Sequence, residues 1–306
     1  MSRRVAVVSE SPDFRAAVRA GGGTVVSVDE APEGLVWLGS GGVAGLREAL
    51  AAAPSATWVQ LPAAGIERLV EADVLDPART WTCAKGIYGE LTAEHALTLA
   101  LAGLRRIPDR ARASTWQRDG GSQSLYDARV VILGAGGISA ALLTMLAPFR
   151  TTTTVVRRDA TTVMPGADRT VGMDQLDEVL PGAAVVVLAL ALTPETTHVI
   201  GAEQLAAMDE TAWLVNVARG RHVDTDALVT ALRDGAIGGA ALDVTDPEPL
   251  PDDHPLWLLP NCLITPHVAN PSQISTPLLA QRVTDNVRRF VADEPLLGLV
   301  DLGAGY

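Results

Sequence analysis

The sequence has 306 residues, of which 48% are hydrophobic and 20% charged. A chain of this length can bury roughly three quarters of its unfolded surface, and at about 150 residues per domain it predicts two domains. Its 36 acidic and 24 basic residues give a formal net charge of −12. This charge argues against nucleic acids and anionic membranes as partners, because both are bound by basic surfaces.

The cysteines and the first residues indicate a cytoplasmic protein. Cys83 and Cys262 lie outside any C-x-x-C spacing, so the sequence predicts neither a disulfide framework nor a metal site. The apolar run at residues 5–8 is too short for a secretory signal, whose apolar core has about 7–15 residues. No segment approaches the roughly 18 consecutive apolar residues of a membrane helix.

Short apolar runs alternate with longer helical patterns along most of the chain. Segments such as 45–53 and 139–146 carry apolar residues at intervals of three to four, which is typical of helices. Near-continuous apolar strands between such helices predict an α/β fold with parallel sheets covered on both faces. The predicted strands are residues 5–8, 24–28, 35–38, 57–60, 129–133, 152–156, 184–190, 213–216, 239–244 and 262–264.

A long amphipathic helix at residues 91–105 separates two such α/β series. We place a hinge near Glu94, so that residues 1–94 form one domain and residues 95–273 a second. The last predicted helix begins at Ile274, beyond the second series. We therefore expect residues 274–306 to complete the first domain.

A glycine-rich turn follows the strand at residues 129–133 and precedes an Ala/Leu-rich helix. The first glycine permits a tight turn, the second lets the backbone approach a pyrophosphate, and the helix N-terminus supplies aligned N–H groups. At the third small position a serine replaces the usual Gly or Ala, so the packing of helix on strand must admit a hydroxyl. A purely structural turn is the alternative. The residues predicted to bind the cofactor here are Gly134, Gly136, Gly137, Ile138 and Ser139.

The next strand carries the signal for cofactor preference. About 20 residues after the glycines, NAD-binding proteins place an acidic residue that binds the ribose 2′-hydroxyl. Here the strand ends in Arg157 and Arg158, and a guanidinium can bind the 2′-phosphate of NADP. The sequence therefore favours NADP(H). NAD(H) is the alternative, because Asp159 follows directly.

Three polar residues follow predicted strands in the second half of the chain: Arg219, Glu248 and His267. The carboxyl ends of parallel strands meet at one edge of a sheet, so these side chains can converge. An arginine can bind an anionic substrate and stabilise negative charge that develops on an oxygen. A histidine beside a carboxylate can supply a proton. Each of the three residues taken singly also has a structural interpretation. For the other four histidines, His95, His198, His222 and His254, the structural interpretation is preferred.

In its order of Arg, Glu and His after the glycine turn, the chain resembles the D-isomer-specific 2-hydroxyacid dehydrogenases. Within that family the chain is most similar to glyoxylate/hydroxypyruvate reductases and phosphoglycerate-dehydrogenase-like proteins. The resemblance implies two Rossmann-like domains with the active site in the interdomain cleft. Residues 1–94 would be the substrate-binding domain and residues 95–273 the dinucleotide-binding domain. The resemblance also implies a homodimer in which residues 111–126, with Trp116, form an exchanged arm. It also implies NAD(P)-dependent reduction of a small anionic 2-keto acid. The stretches that carry it are residues 192–196, 215–220, 240–250 and 265–269.

The resemblance also implies roles for single residues. Arg219 would hold the substrate carboxylate and the C2 carbonyl oxygen. His267 would be the general acid that protonates this oxygen, and Glu248 would hydrogen-bond to His267. Asp243 would contact the nicotinamide carboxamide. The remaining residues implied on the cofactor side are Thr193 and Ala218.

The first domain matches the family pattern less closely. Ala64 and Gly65 align with the loop whose N–H groups hold the substrate carboxylate, although Ala63 stands where that loop commonly has glycine. Trp37 is expected to line the pocket and to favour a small substrate. Two alternatives stay open: a formate dehydrogenase, although those enzymes have glutamine where this chain has Glu248, and a non-catalytic NAD(H)-binding sensor similar to C-terminal-binding co-repressors.

Overall fold

The structure is a computed structural model that describes residues 2–9, 11–116, 118, 121–303 and 305. The chain divides into two compact units, one formed by Met1–Tyr88 with Pro271–Tyr306 and the other by Gly89–Asn270. Each unit is built on its own parallel sheet, which confirms the predicted α/β fold with two Rossmann-like sheets. Part of the segment predicted as an exchanged arm, namely Gln117, Asp119 and Gly120, lies outside the described residues.

The first unit has a five-stranded sheet. Its order is β2-β1-β3-β4-β5 and its neighbouring strands run parallel, so the chain reverses direction across the sheet between β1 and β3. The strands are Arg4–Val8 (β1), Thr24–Val26 (β2), Gly34–Trp37 (β3), Trp58–Gln60 (β4) and Thr80–Thr82 (β5), and the helices that connect them are Pro12–Ala20 (α1), Gly42–Ala52 (α2) and Glu67–Glu71 (α3).

The second unit has a seven-stranded parallel sheet with the order β12-β11-β10-β9-β6-β7-β8. This is the doubly wound order of dinucleotide-binding sheets with one further strand, and its switch point lies between β6 and β9. Its helices are Gly89–Leu104 (α4), Ile107–Arg112 (α5), Gly137–Leu146 (α6), Leu176–Val179 (α7), Ala202–Ala207 (α8) and Thr225–Asp234 (α9), and its strands are Arg129–Leu133 (β6), Thr152–Val156 (β7), Arg169–Val171 (β8), Val185–Leu188 (β9), Trp213–Asn216 (β10), Gly239–Leu242 (β11) and Cys262–Ile264 (β12).

Both faces of the first sheet are covered by helices. Because successive side chains of a strand point to opposite faces, Val5 and Val7 pack in one apolar cluster with residues of α1, whereas Ala6 packs in another with residues of α2 and α3. The last helix, Ser272–Val291 (α10), belongs to the first unit and packs against α1. Among the described residues, no helix combines the length and apolar composition needed to cross a bilayer.

Two strands were not predicted. Both β5 and β8 have only three residues, and their polar first residues, Thr80 and Arg169, are exposed, so neither forms the apolar run on which a sequence-based prediction depends. The predicted strand at 24–28 was too long, because β2 ends at Val26, and those at 184–190 and 239–244 likewise end at Leu188 and Leu242.

A buried polar network holds α10 to the first sheet. The Asn286 side chain donates to the Oε1 atom of Gln60 (2.8 Å) and to the carbonyl of Leu297 (3.0 Å), and it accepts the Leu297 N–H (2.8 Å). Gln60 in turn accepts a hydrogen bond from the Thr82 hydroxyl (2.9 Å). Asn286, Gln60 and Thr82 are all fully buried, so each hydrogen bond replaces one that water would otherwise make.

We predict that Asn286→Ala lowers the free energy of unfolding by about 3 kcal/mol, because buried donors and acceptors on Gln60 and Leu297 lose their partners. Urea denaturation measures this change. Gln281→Ala, on the exposed face of the same helix, is the matched control and should change stability by less than about 0.5 kcal/mol. Equal effects of the two substitutions would contradict the role given to this network.

Candidate active site

The three polar residues predicted to form the reaction site follow neighbouring strands of the second sheet. Arg219 comes after β10, Glu248 after β11 and His267 after β12, and these strands are adjacent at one side of the sheet. All three segments leave the sheet at its carboxyl edge because the strands are parallel. The topology therefore brings residues that are distant in sequence to one edge, where ligands of doubly wound sheets bind.

His267 and Glu248 are in direct contact. The Nδ1 atom of His267 lies 2.8 Å from Oε1 of Glu248, and the side chains are 46% and 33% exposed. A carboxylate accepts a hydrogen bond only from a protonated ring nitrogen, so Glu248 selects the Nδ1–H form of the ring. Within the described part of the chain, Nε2 of His267 has no hydrogen-bond partner, and it is the nitrogen left for a ligand.

The loop that carries Arg219 is held by side chains of its own. The buried side chain of Asn216 donates to the carbonyl of Arg219 (2.8 Å) and accepts the N–H of Ala218 (3.0 Å). The Arg219 N–H donates to Nδ1 of the buried His222 (3.2 Å), and its guanidinium donates to the carbonyl of Ala218 (2.7 Å). The backbone at Arg219 is therefore fixed by groups that do not depend on a ligand.

A buried carboxylate, Asp243, lies at the end of β11. It accepts hydrogen bonds from the Thr265 hydroxyl (2.6 Å) and from the N–H groups of Val268 (3.0 Å) and Ala269 (3.1 Å), and it lies 3.2 Å from Nε2 of His95. Its side chain is only 1% exposed. Burial by itself opposes ionisation, but the four donors outweigh burial and lower the pKa of Asp243 to about 2.

These hydrogen bonds fix the turn that presents His267. The N–H of His267 donates to the main-chain carbonyl of Asp243 (2.8 Å), while the next two N–H groups donate to the Asp243 carboxylate. His267 has a φ of +53°, a conformation that strains a non-glycine residue by about 1–3 kcal/mol. The turn keeps this conformation because the groups around Asp243 hold it on both sides of His267.

Sequence reasoning missed the part that His95 and Thr265 play in this arrangement. The Nε2 atom of His95 lies 3.0 Å from the Thr265 hydroxyl, as well as close to Asp243. Nothing in the sequence signals this contact, because His95 lies on α4 and Thr265 follows β12, near opposite ends of the sequence of the second unit. Only the fold brings the two together.

The glycine turn between β6 and α6 fits a dinucleotide. Gly134 has a φ of +110°, and a Cβ atom there would lie 2.2 Å from the carbonyl oxygen of Ala189, so only glycine is tolerated. A Cβ atom at Gly136, by contrast, would meet open space. Gly136 precedes the first turn of α6, whose N–H groups attract phosphate. The turn lies at β6, beside the switch point of the sheet.

The hydroxyl of Ser139 is accommodated by a hydrogen bond. Ser139 is fully buried, and its Oγ atom donates to the carbonyl of Gly134 (2.8 Å). Ser139 therefore holds the glycine turn from the protein interior, which explains how a serine replaces the usual glycine or alanine. Direct binding of a cofactor by Gly137, Ile138 and Ser139 stays a prediction.

The predicted phosphate-binding arginines follow β7. Arg157 donates to the carbonyl of Thr162 (3.0 Å), and Arg158 is exposed. Asp159 is the acidic residue that would favour NAD, and its carboxylate is hydrogen-bonded within its own turn. The hydroxyl and the N–H of Thr161 both donate to it and lower the pKa of Asp159. Asp159 therefore stays charged, but its carboxylate is directed toward the main chain of its own turn.

The other residues expected on the cofactor side lie where β9 and β10 end. Thr193 comes after β9, and its N–H donates to the hydroxyl of Thr196 (2.8 Å). A hydrogen bond from the Thr193 hydroxyl lowers the pKa of Glu195. Ala218 is buried beside Arg219. Their contacts with a cofactor stay predictions.

In the first unit, the residues predicted to bind substrate lie at the carboxyl ends of β3 and β4. Trp37 ends β3, and its buried Nε1 atom has no hydrogen-bond partner among the described residues. Ala64 is exposed and Gly65 half-buried, in a loop held where Ala63 accepts the N–H of Ala84 (2.9 Å). Substrate contacts by Trp37, Ala64 and Gly65 stay predictions. No cluster of metal-ligating side chains occurs in the described ranges of the chain.

We predict that Asp243→Asn lowers the free energy of unfolding by about 2 kcal/mol at pH 7, from the shift of the Asp243 pKa from 3.8 to about 2. A carboxyl group with a lowered pKa stabilises the fold above its unfolded pKa and loses this effect as the pH falls through its folded pKa. The difference between wild type and Asp243→Asn should therefore shrink from pH 4 to pH 2. Urea denaturation at several pH values, with the exposed Asp253→Asn as control, measures it, and a difference independent of pH would contradict it.

Comparison with known proteins identifies relatives of this chain. The family model described as "D-isomer specific 2-hydroxyacid dehydrogenase, NAD binding domain" matches residues 95–269. An "Uncharacterized protein in proB 3'region" of Corynebacterium melassecola is 42% identical over 81% of this chain and 83% of its own length. A glyoxylate reductase of Thermofilum pendens is 32% identical over 83% of this chain and 77% of its own length.

Among solved structures, a D-isomer specific 2-hydroxyacid dehydrogenase from Xanthobacter autotrophicus Py2, in complex with NADPH and MES, is 31% identical with a TM-score of 0.86. The alignment covers 100% of both chains. With the family model matched across the sheet that carries the glycine turn, Arg219, Glu248 and His267, the chain belongs to the D-isomer specific 2-hydroxyacid dehydrogenases, oxidoreductases that use a nicotinamide cofactor.

Proposed function

We propose that the protein reduces small 2-keto acids of the glyoxylate and hydroxypyruvate type, with NADPH as the preferred cofactor. The observation that carries the proposal is the 2.8 Å contact between Nδ1 of His267 and Glu248, with Nε2 of the same ring left for a ligand. The similarity to a glyoxylate reductase supports the choice of substrate. The NADPH complex of the solved relative supports the choice of cofactor.

The residues divide the chemistry between them. The Arg219 guanidinium pairs with the substrate carboxylate and polarises the C2 carbonyl, which orients the keto acid and stabilises charge on its oxygen. Protonated His267 donates its Nε2 proton to that oxygen as the C2–O double bond becomes a single bond. Glu248 accepts the Nδ1–H of the ring and so orients Nε2 toward the substrate. Gly134 and Gly136 would hold the pyrophosphate of the dinucleotide, whose nicotinamide would supply the hydride to C2.

The contact with Glu248 also distinguishes this reaction from formate oxidation. Formate oxidation transfers a hydride without moving a proton to an alkoxide, so a carboxylate that favours the charged imidazolium brings it no advantage. Reduction of a keto acid needs this proton. The His267–Glu248 pair therefore favours the 2-keto acid reductase over the formate dehydrogenase.

Cofactor preference is inferred from the end of β7. An exposed guanidinium at Arg158, next to Arg157, can pair with a 2′-phosphate, while Asp159 is bound to Thr161. An acidic chain with a net charge of −12 also needs local cations to attract a phosphorylated cofactor.

The wider assignments stay predictions. We expect the unit with Trp37, Ala64 and Gly65 to bind substrate and the unit with the glycine turn to bind the dinucleotide. We also expect a cytoplasmic homodimer. Trp116, in the predicted arm, is 89% exposed, and exposed aromatic residues are common in protein–protein interfaces.

We predict that His267→Asn lowers kcat for glyoxylate by about 10²–10⁴-fold, because a general acid is lost, and leaves the affinity for NADPH unchanged. Asparagine is chosen because it tolerates a left-handed conformation. His198→Asn is the matched control, since His198 is exposed and also has a φ of +53°. Spectrophotometric assays of glyoxylate, hydroxypyruvate, pyruvate and formate with each cofactor test the proposal. Cofactor binding without turnover of any keto acid would contradict it and favour a sensor.

We predict that NADPH gives wild type the higher kcat/KM, and that the double substitution of Arg157 and Arg158 by alanine raises the KM for NADPH by about 10–100-fold, the value of a charge-assisted hydrogen bond or two. The KM for NADH should change little. Steady-state kinetics with both cofactors measure the effect, with the exposed Arg233→Ala on α9 as control. Equal losses with NADPH and NADH would contradict a 2′-phosphate site.

A further inference from the structure

A side chain of α4 adds a further contact to the Asp243 carboxylate, which holds the His267 turn. Three of the four donors to Asp243 come from the segment that contains His267, namely Thr265, Val268 and Ala269. Among the described residues, His95 is the donor that comes from elsewhere. Without His95, every donor to the Asp243 carboxylate would come from the segment that this carboxylate itself holds in place.

The hydrogen-bond network determines the role of the His95 ring. The Thr265 hydroxyl has a single hydrogen, and it donates this hydrogen to Asp243 at 2.6 Å. Nε2 of His95 lies 3.0 Å from the same hydroxyl oxygen and 3.2 Å from the carboxylate. Both neighbours present lone pairs to it, so Nε2 must carry the proton and donate to the pair. His95 therefore acts as a donor to Asp243 and Thr265 together.

A second residue of the same helix face holds the other end of the segment. Thr92 lies three residues before His95, so both side chains project from one side of α4. The Thr92 hydroxyl donates to Oδ1 of Asn270 (3.1 Å). Helix α4 thus holds the segment that follows β12 at two points, Thr265 and Asn270, with His267 between them.

We propose that His95 is a positioning residue for the reaction: through Asp243 and Thr265, it sets the place of the turn that presents His267. Among the described residues, no hydrogen bond or ion pair joins His95 to His267 or Glu248, so it acts by fixing the backbone that follows His267. Its effect on catalysis rests on the function proposed above, whereas its effect on the turn does not.

The test compares His95→Phe, which keeps a ring but removes the donor, with His95→Gln, whose amide can donate again. Hydrogen exchange of the Val268 and Ala269 N–H groups, resolved by mass spectrometry, reports on the turn independently of activity. We expect His95→Phe to accelerate this exchange and to lower kcat, each by about tenfold for one lost hydrogen bond to a charged group, with little change in the KM for NADPH. His95→Gln should restore most of both.

Two further variants guard against a general loss of stability. Thr265→Val removes the hydroxyl that donates to Asp243 and should reproduce the effect of His95→Phe. Thr98→Val makes the same change one turn further along α4, where the hydroxyl bonds only within the helix, and should have no effect. Exchange and kcat unchanged in His95→Phe would overturn the proposal, as would uniformly faster exchange across the second sheet that His95→Gln does not restore. If wild type reduces none of the acids, the proposed function fails, and the exchange rates alone decide whether His95 places the turn.

Discussion

The arrangement at this site depends on the burial of one charged group, the Asp243 carboxylate. A carboxylate removed from water is tolerated only where donors replace its hydration, and here hydroxyl, imidazole and two main-chain N–H groups do so. Two of these donors belong to the turn after His267. The same hydrogen bonds therefore replace the hydration of the carboxylate and hold the turn in its conformation. The exposed imidazole of His267 is thereby presented by a backbone that is held on both sides, as its proposed role in proton transfer requires.

The second sheet places the turn proposed to bind the cofactor and the residues proposed to transfer the proton along one edge. The glycine turn lies at β6, near the centre of the sheet, whereas the segments with Arg219, Glu248 and His267 follow β10, β11 and β12 toward one side. Each segment is stabilised by its own buried polar group: Ser139 for the glycine turn, Asn216 for the arginine loop, and Asp243 for the histidine turn. A parallel sheet suits this chemistry because it brings independently stabilised loops to one edge.

Much of this could be predicted from the sequence because the signals are local. Apolar runs defined most strands, and the glycine turn identified β6 and α6. The missed strands β5 and β8 lacked that signal, since three residues with an exposed polar start do not form an apolar run. The pairing of His267 with Glu248 followed from resemblance to a family and from strand order. The contact of His95 with Asp243 could not be predicted, because it joins helix α4, which precedes the sheet, to the end of β11 and leaves no pattern in either segment.

The central claim is that Arg219 and His267 meet around one small anion in front of the cofactor. A crystal structure of the complex with NADPH and oxamate, an unreactive analogue of glyoxylate, tests it most directly. We predict that the Arg219 guanidinium binds the oxamate carboxylate and that Nε2 of His267 lies within hydrogen-bond distance of the adjacent carbonyl oxygen. Oxamate bound beside the nicotinamide without contact to either side chain would contradict the account.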